Sequence, residues 1–304
     1  MQPPELDLKT RRQLSRTLSR IASASVAEAL SQLSERLPQA AARIGVTGAP
    51  GAGKSTLINR LAQLRAGRGR KVGVLAIDPS SPLSGGSILG DRIRMEAIAE
   101  HPGVFIRSLA SKGAHAGLTH NLPDLLHAMD AFRFDDVVVE TVGIGQSEFA
   151  VRDLVDTTVL VLAPASGDKI QVMKAGVIEI ADTYVVNKAD LPGAARLAAE
   201  VASVVRARHG PMGEYRPSVI QVKLDDDSGV RELDAVIETH RAWLAASSES
   251  HIRERERNRL HARALLTRRV DEVLQALPAE ALDLTPEETY RVAVQAISAT
   301  DSPK

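Results

Sequence analysis

The sequence predicts an α/β protein: a doubly wound, mostly parallel sheet with helical extensions at both ends. Two observations carry this. Seven short β-branched runs alternate with longer helical stretches between residues 43 and 247. The helical stretches on either side of that block have no strands of their own. The 304 residues therefore divide into a helical extension (1–40), a sheet domain (41–247) and a second helical extension (248–304).

The elements justify this in order. Residues 9–37 carry Leu14, Leu18, Ile21, Val26, Leu30, Leu33 and Leu37 at helical spacing, which predicts one helix. The β-branched runs follow at 44–47, 72–77, 104–107, 136–140, 157–162, 183–186 and 218–222. Each is nearly continuous in apolar residues, as parallel strands buried on both faces are. Helices are expected at 54–66, 91–100, 118–131, 169–180, 193–207 and 229–245. Residues 250–277 read as one long charged helix, with Arg253 to Arg257 as its solvated, salt-bridged face. Thr285, Pro286 and Glu288 then supply an N-cap, a first-turn proline and a capping-box carboxylate for a last helix.

Composition removes whole classes of function. Lys plus Arg and Asp plus Glu each number 38, so the net charge is zero. That argues against a bulk electrostatic grip on nucleic acid or anionic membrane. With no cysteine there are no disulfides, thiolate metal sites or cysteine nucleophile. At 3% aromatic residues, stacking platforms for single strands are not expected. Residues 1–20 are basic but lack the apolar stretch of a secretory signal, and no run is long enough to cross a bilayer, so a cytoplasmic location is expected.

The string Gly48, Ala49, Pro50, Gly51, Ala52, Gly53, Lys54, Ser55 matches G-x-x-x-x-G-K-[ST], with Thr56 following. It lies between the first strand and the helix after it, the setting a P-loop NTPase requires. Its glycines let backbone N–H groups wrap phosphate oxygens, and Lys54 reaches the β- and γ-phosphates as the candidate catalytic cation. Ser55 offers a hydroxyl to Mg²⁺. Asp78 closes the second strand, Asp91 follows a Gly-rich loop, and Glu140 ends the fourth strand. These are the candidate metal carboxylates; Mg²⁺ takes one or two, so not all three need bind directly. Asn187, Lys188 and Asp190 follow the sixth strand. The aspartate can accept from guanine N1–H and its 2-amino group, which adenine cannot match. The lysine stem packs on the base, and Asn187 can tie this loop to the phosphate loop.

The set Gly45–Thr56, Asp78–Ser81, Gly85–Asp91, Glu140–Glu148, Asp168, Gln171, Lys174 and Asn187–Asp190, in that order, resembles the MeaB-type GTPases, once called ArgK or LAO/AO transport kinases. The resemblance covers about residues 40–245. It implies a GTPase chaperone that gates cobalamin loading and protection of an adenosylcobalamin-dependent acyl-CoA mutase, methylmalonyl-CoA mutase by default. It also implies a homodimer formed with the C-terminal helices. Mg²⁺ would be held by Ser55, Asp91 and Glu140, with Asp78 near by. Residues 166–174 would form a partner-coupled loop in which Lys174 stimulates hydrolysis.

Two positions depart from the family pattern. A Thr-Ser-Ala stretch whose backbone binds guanine is replaced by Val222, Lys223 and Leu224. An Arg-Gly-His-Leu-Gly-Gly loop is replaced by residues 112–117, with His115 out of register. A nickel-insertion GTPase shares the sheet and phosphate loop but relies on Cys/His ligands, and this chain has no cysteine and eight dispersed histidines. A P-loop kinase would need an acceptor pocket and a base, neither of which is legible.

Overall fold

A computed structural model describes residues 6–33, 40–78, 101–110, 121–141, 151–164, 181–208, 215–223 and 225–300. Its seven strands are β1 (Ala42–Gly48), β2 (Val72–Asp78), β3 (Val104–Ala110), β4 (Asp136–Glu140), β5 (Thr157–Leu162), β6 (Thr183–Asn187) and β7 (Ser218–Val222). They form one sheet in the order β3-β2-β4-β1-β5-β6-β7. Every neighbouring pair is parallel. The order reverses direction at β1, with β4 on one side and β5 on the other. Open parallel sheets bind ligands at such a switch point, beyond the strands' carboxyl ends. The phosphate loop leaves β1 at that place.

The residues between strands explain the layers. Helix α3 (Lys54–Gly67) and helix α6 (Ser228–Ala246) cover one face. There Leu57, Ile58, Leu61, Leu233 and Ile237 pack on Ile44, Val46, Val138 and Val185. On the other face α1 (Leu8–Ile21) and α4 (Leu122–Ala131) pack Leu14, Leu18, Leu125 and Met129 on Val137 and Val139. Helix α5 (Ala194–Arg208) covers Leu160, Tyr184 and Val186. Val138 thus faces one layer and its neighbours the other, which is why the β4 run has no polar alternation. Helix α1 is part of this core: Leu14 and Leu18 are fully buried.

Two expectations need correction. Residues 9–37 are not one helix: α1 ends at Ile21, and α2 (Val26–Gln32) starts anew after Ser25. Ser25 and Glu28 form a capping box that satisfies the second helix's first amides. Residues 34–39, and Leu37 with them, lie outside the described residues. The long helix α7 (Glu249–Ala276) forms as expected, and a short α8 (Ala279–Leu282) precedes α9 (Pro286–Thr300). Its Arg253–Arg257 segment is not merely solvated, however. Arg253 donates to Asp182 (2.7 Å) and to the Asp156 carbonyl (2.6 Å), and Arg257 pairs with Asp156. Further along, His261 and Arg268 both bond Asp124 on α4. One basic face of α7 therefore straps the starts of β5 and β6 to α4.

Candidate nucleotide site

The phosphate loop begins where β1 runs against β5. A side chain on Gly48 would meet the Val161 carbonyl oxygen at 2.1 Å, so this strand end admits glycine alone. At the far end Gly53 is the N-cap of α3 with φ 89°, and it offers no side-chain cap to the helix's first amides. Those amides, at the positive end of the helix dipole, are an anion site. Lys54 is 7% exposed, and its Nζ donates to the carbonyls of Gly48 (2.8 Å) and Ala49 (3.1 Å). The ammonium is thereby held inside the loop.

Ser55 follows on the first turn of α3, and its Oγ donates to Glu140 Oε1 at 2.7 Å. Both groups are buried. Glu140 pairs in register with Val46 of β1, and the Thr141 hydroxyl bonds that of Thr47 at 3.0 Å. The end of β4 is thus stitched to the start of the phosphate loop, and it brings the carboxylate to the serine.

The third component is the loop after β6. Asn187 Nδ2 donates to the Ala52 carbonyl at 2.8 Å and lies within 3.5 Å of the Gly53 carbonyl. Lys188 donates to the Gly51 carbonyl at 2.8 Å. Lys188 also holds φ 55°, a left-handed conformation uncommon for a residue with a Cβ. Asp190, two residues on, is exposed. The post-β6 loop is therefore braced on the phosphate loop with one carboxylate presented at its rim.

Of the residues expected beside guanine, Val222 has its side chain in the core at 1% exposure, so only its backbone faces the loops. Its carbonyl accepts from Ala189 N–H at 3.0 Å. The Lys223 carbonyl accepts from Arg60 at 2.6 Å. Leu224, Asp91, Lys174 and His115 lie outside the described residues, as do residues 79–100 and 165–180. Asp78 ends β2 in register with Ala110. Arg60 was missed in the sequence because one arginine on a helix carries no signal of what it bonds.

Residues 14–279 match the model of one protein family, described as methylmalonyl Co-A mutase-associated GTPase MeaB. The chain belongs to the MeaB family of GTPases. A protein of Pyrococcus abyssi named as a GTPase is 42% identical over 219 residues, 71% of this chain and 67% of its own. One of Mycobacterium tuberculosis, also named as a GTPase, is 42% identical over 217 residues, 70% of this chain and 65% of its own. The mitochondrial methylmalonic aciduria type A homolog of Mus musculus is 38% identical over 210 residues, 68% of this chain and 51% of its own. The matched stretch thus spans about two thirds of the microbial relatives and about half of the mouse protein. Among solved structures, a LAO/AO transport system kinase superposes with a TM-score of 0.59 at 25% identity, covering 98% of this chain and 99% of that one.

For a MeaB-family site assembled this way, Gly53 is a sharp test. A Cβ there would sit 2.3 Å from Asn187 Nδ2, on a backbone that already has positive φ. Gly53→Ala must break the Asn187 tie or strain the loop. GTP affinity in an equilibrium titration is expected to fall roughly tenfold or more, while the melting temperature moves by only a few degrees, about what such strain costs.

Proposed function

We propose that the chain binds and hydrolyses GTP with Mg²⁺, and that this cycle gates cobalamin loading and protection of an adenosylcobalamin-dependent acyl-CoA mutase. The observation that carries it is the joining of three parts: Lys54 in the phosphate loop, the Ser55–Glu140 pair, and the Asn187–Asp190 loop braced on the phosphate loop. The family description, which names a methylmalonyl-CoA mutase association, supports the choice of partner.

The residues present fit Mg²⁺. Ser55 Oγ and Glu140 Oε1 are hard oxygen donors 2.7 Å apart. That is near the ~3 Å edge of an octahedron with ~2.1 Å bonds. Ser55 and Glu140 would hold the ion, with Asp91 and Asp78 as the further carboxylates. When bound, Mg²⁺ neutralises charge on the β- and γ-phosphates. The chain's own residues do the rest. The α3 amides and Lys54 bind the phosphates and stabilise charge that develops on them. Asp190 orients guanine, and Lys188 flanks the base. Lys174 acts in the partner-coupled loop.

We assign residues 41–247 to the GTPase domain, and 1–40 and 248–304 to its helical extensions. The second extension is assigned to a homodimer contact, which is supported by exposed Leu266, Val270 and Leu274, spaced four residues apart on α7. A cytoplasmic setting is assigned with it; among the described residues no helix is long and apolar enough to cross a membrane. The deciding experiment is single-turnover GTP hydrolysis with and without methylmalonyl-CoA mutase. A rate increase of tenfold or more is expected, on the scale of stimulated GTPases. Equal rates would sink the coupling.

A further inference from the structure

The loops around the nucleotide site form a closed ring of hydrogen bonds. Asn187 and Lys188 join the post-β6 loop to the phosphate loop. Ala189 N–H joins the post-β6 loop to Val222 at the end of β7. Arg60 on α3 then joins the post-β7 loop back to the helix that the phosphate loop opens. Its Nη1 donates to the Lys223 carbonyl at 2.6 Å. Its Nη2 and Nε donate to one Asp227 oxygen, at 2.6 and 3.1 Å.

Arg60 lies six residues after Lys54, about 9 Å along the helix at 1.5 Å per residue. Its side chain is 16% exposed and that of Asp227 is 66% exposed. A pair so open to solvent adds little stability. What it does is geometric: a planar fork fixes a carbonyl and a carboxylate four residues apart in the same turn. The turn has its own internal bonds, with Asp226 accepting from the Ser228 amide at 2.8 Å and from its hydroxyl. Arg60 thus fixes Lys223 and Asp227 relative to the helix that the phosphate loop opens.

We propose that Arg60 is a positioning residue for guanine selectivity: it holds the post-β7 turn where its backbone can meet the O6 edge of the base. This rests on the GTP reading above. Guanine presents donors at N1 and the 2-amino group, which suit Asp190, and an acceptor at O6, which needs an N–H donor that a carboxylate cannot supply. Val222, next to Lys223, is where the end of β7 meets the post-β6 loop, through the bond from Ala189 N–H to its carbonyl. Residue types at 222 and 223 then matter less than the placement of their main chain, and that placement depends on a side chain from another element.

The test compares GDP, ADP and 2,6-diaminopurine riboside diphosphate, which keeps the 2-amino group but replaces O6 with an amine and the N1–H donor with a bare ring nitrogen. Affinities are measured by titration calorimetry on wild type, Arg60→Ala and Arg60→Lys, with melting temperatures alongside. Wild type is expected to prefer GDP over both. Arg60→Ala is expected to weaken GDP about tenfold, the scale of one charge-assisted bond. Diaminopurine binding should change far less, so that the selectivity ratio narrows. Arg60→Lys, which lacks the fork, is expected to behave like alanine. If wild type shows no preference for GDP over ADP, the GTP reading fails and the proposal with it. If wild type is selective but the two purines weaken equally in Arg60→Ala, or only the melting temperature falls, the positioning role alone is overturned.

Discussion

Lys54→Ala is expected to lower single-turnover GTP hydrolysis by about 10²–10³-fold, the usual cost of removing one preorganised charge-stabilising donor. Lys54 is buried and its Nζ is held 2.8 and 3.1 Å from two loop carbonyls, so it pays little further ordering when phosphate arrives. In a site this enclosed, a cation beside developing phosphate charge acts through a lower dielectric than water's. Alanine leaves the glycine-rich backbone and the α3 amides in place, so binding should weaken less than turnover does. Lys54→Arg is not a conservative replacement, because a planar fork does not fit a point-charge position among those carbonyls. Circular dichroism and a thermal melt should show a folded variant. A rate within about threefold of wild type would remove Lys54 from catalysis.

The sheet was legible because its strands are buried on both faces. The runs at 136–140, 157–162 and 218–222 coincide with β4, β5 and β7 to the residue. Others run longer: β1 starts at Ala42 and β3 ends at Ala110, where pairing with neighbours outweighs poor intrinsic strand preference. The N-terminal break was missed because leucine spacing continues through it. The sign that a helix restarts is polar, Ser25 and Glu28, and lies between apolar residues that a periodicity count links together.

The same contrast holds at the site. Asn187 and Lys188 were readable because a short motif after a strand fixes their surroundings. Arg60, Arg253 and Arg257 were not. An arginine bonded across the molecule looks identical, in sequence, to one in solvent, and the Arg-Glu alternation at 253–257 has a ready explanation in local helix pairs. Asp182 and Asp156, the partners of Arg253 and Arg257, are about 70 and 100 residues away in the chain. Such pairings come from topology, which no local pattern encodes.

The second large effect lies at the opposite end of the sheet from the phosphates. Asp136 opens β4, while Glu140 closes it at the nucleotide side. The Asp136 side chain has no exposed surface and that of Arg65 has 1%. Arg65 Nη1 lies 2.7 Å from Asp136 Oδ1, and Arg70 donates to the same carboxylate at 2.5 and 2.6 Å. The bond to Asp136 is the main cause that raises the Arg70 pKa, against the opposing effect of burial. Arg65 also reaches Asp234 at 2.7 Å, so α3, α6 and β4 meet on one guanidinium. Asp136→Asn keeps the shape and removes the charge, which leaves Arg65 buried beside a neutral amide. Arg65 keeps Asp234 and, at 3.0 Å, the more exposed Glu238, so the broken buried pair is expected to cost about 3 kcal/mol, the low end for such losses, to be read from the urea midpoint at constant slope. GTP affinity of the protein that remains folded should not change, because β4 spans the distance between the two ends. The double variant Arg65→Met with Asp136→Leu should recover only part of the loss: it removes two buried charges together, but it leaves Asp234 to Arg68 and takes Arg70's carboxylate away. A loss below about 1 kcal/mol for Asp136→Asn would mean that Asp234 and Glu238 suffice to neutralise Arg65. The carboxylate on β4 would then serve Arg70 at the surface rather than the core.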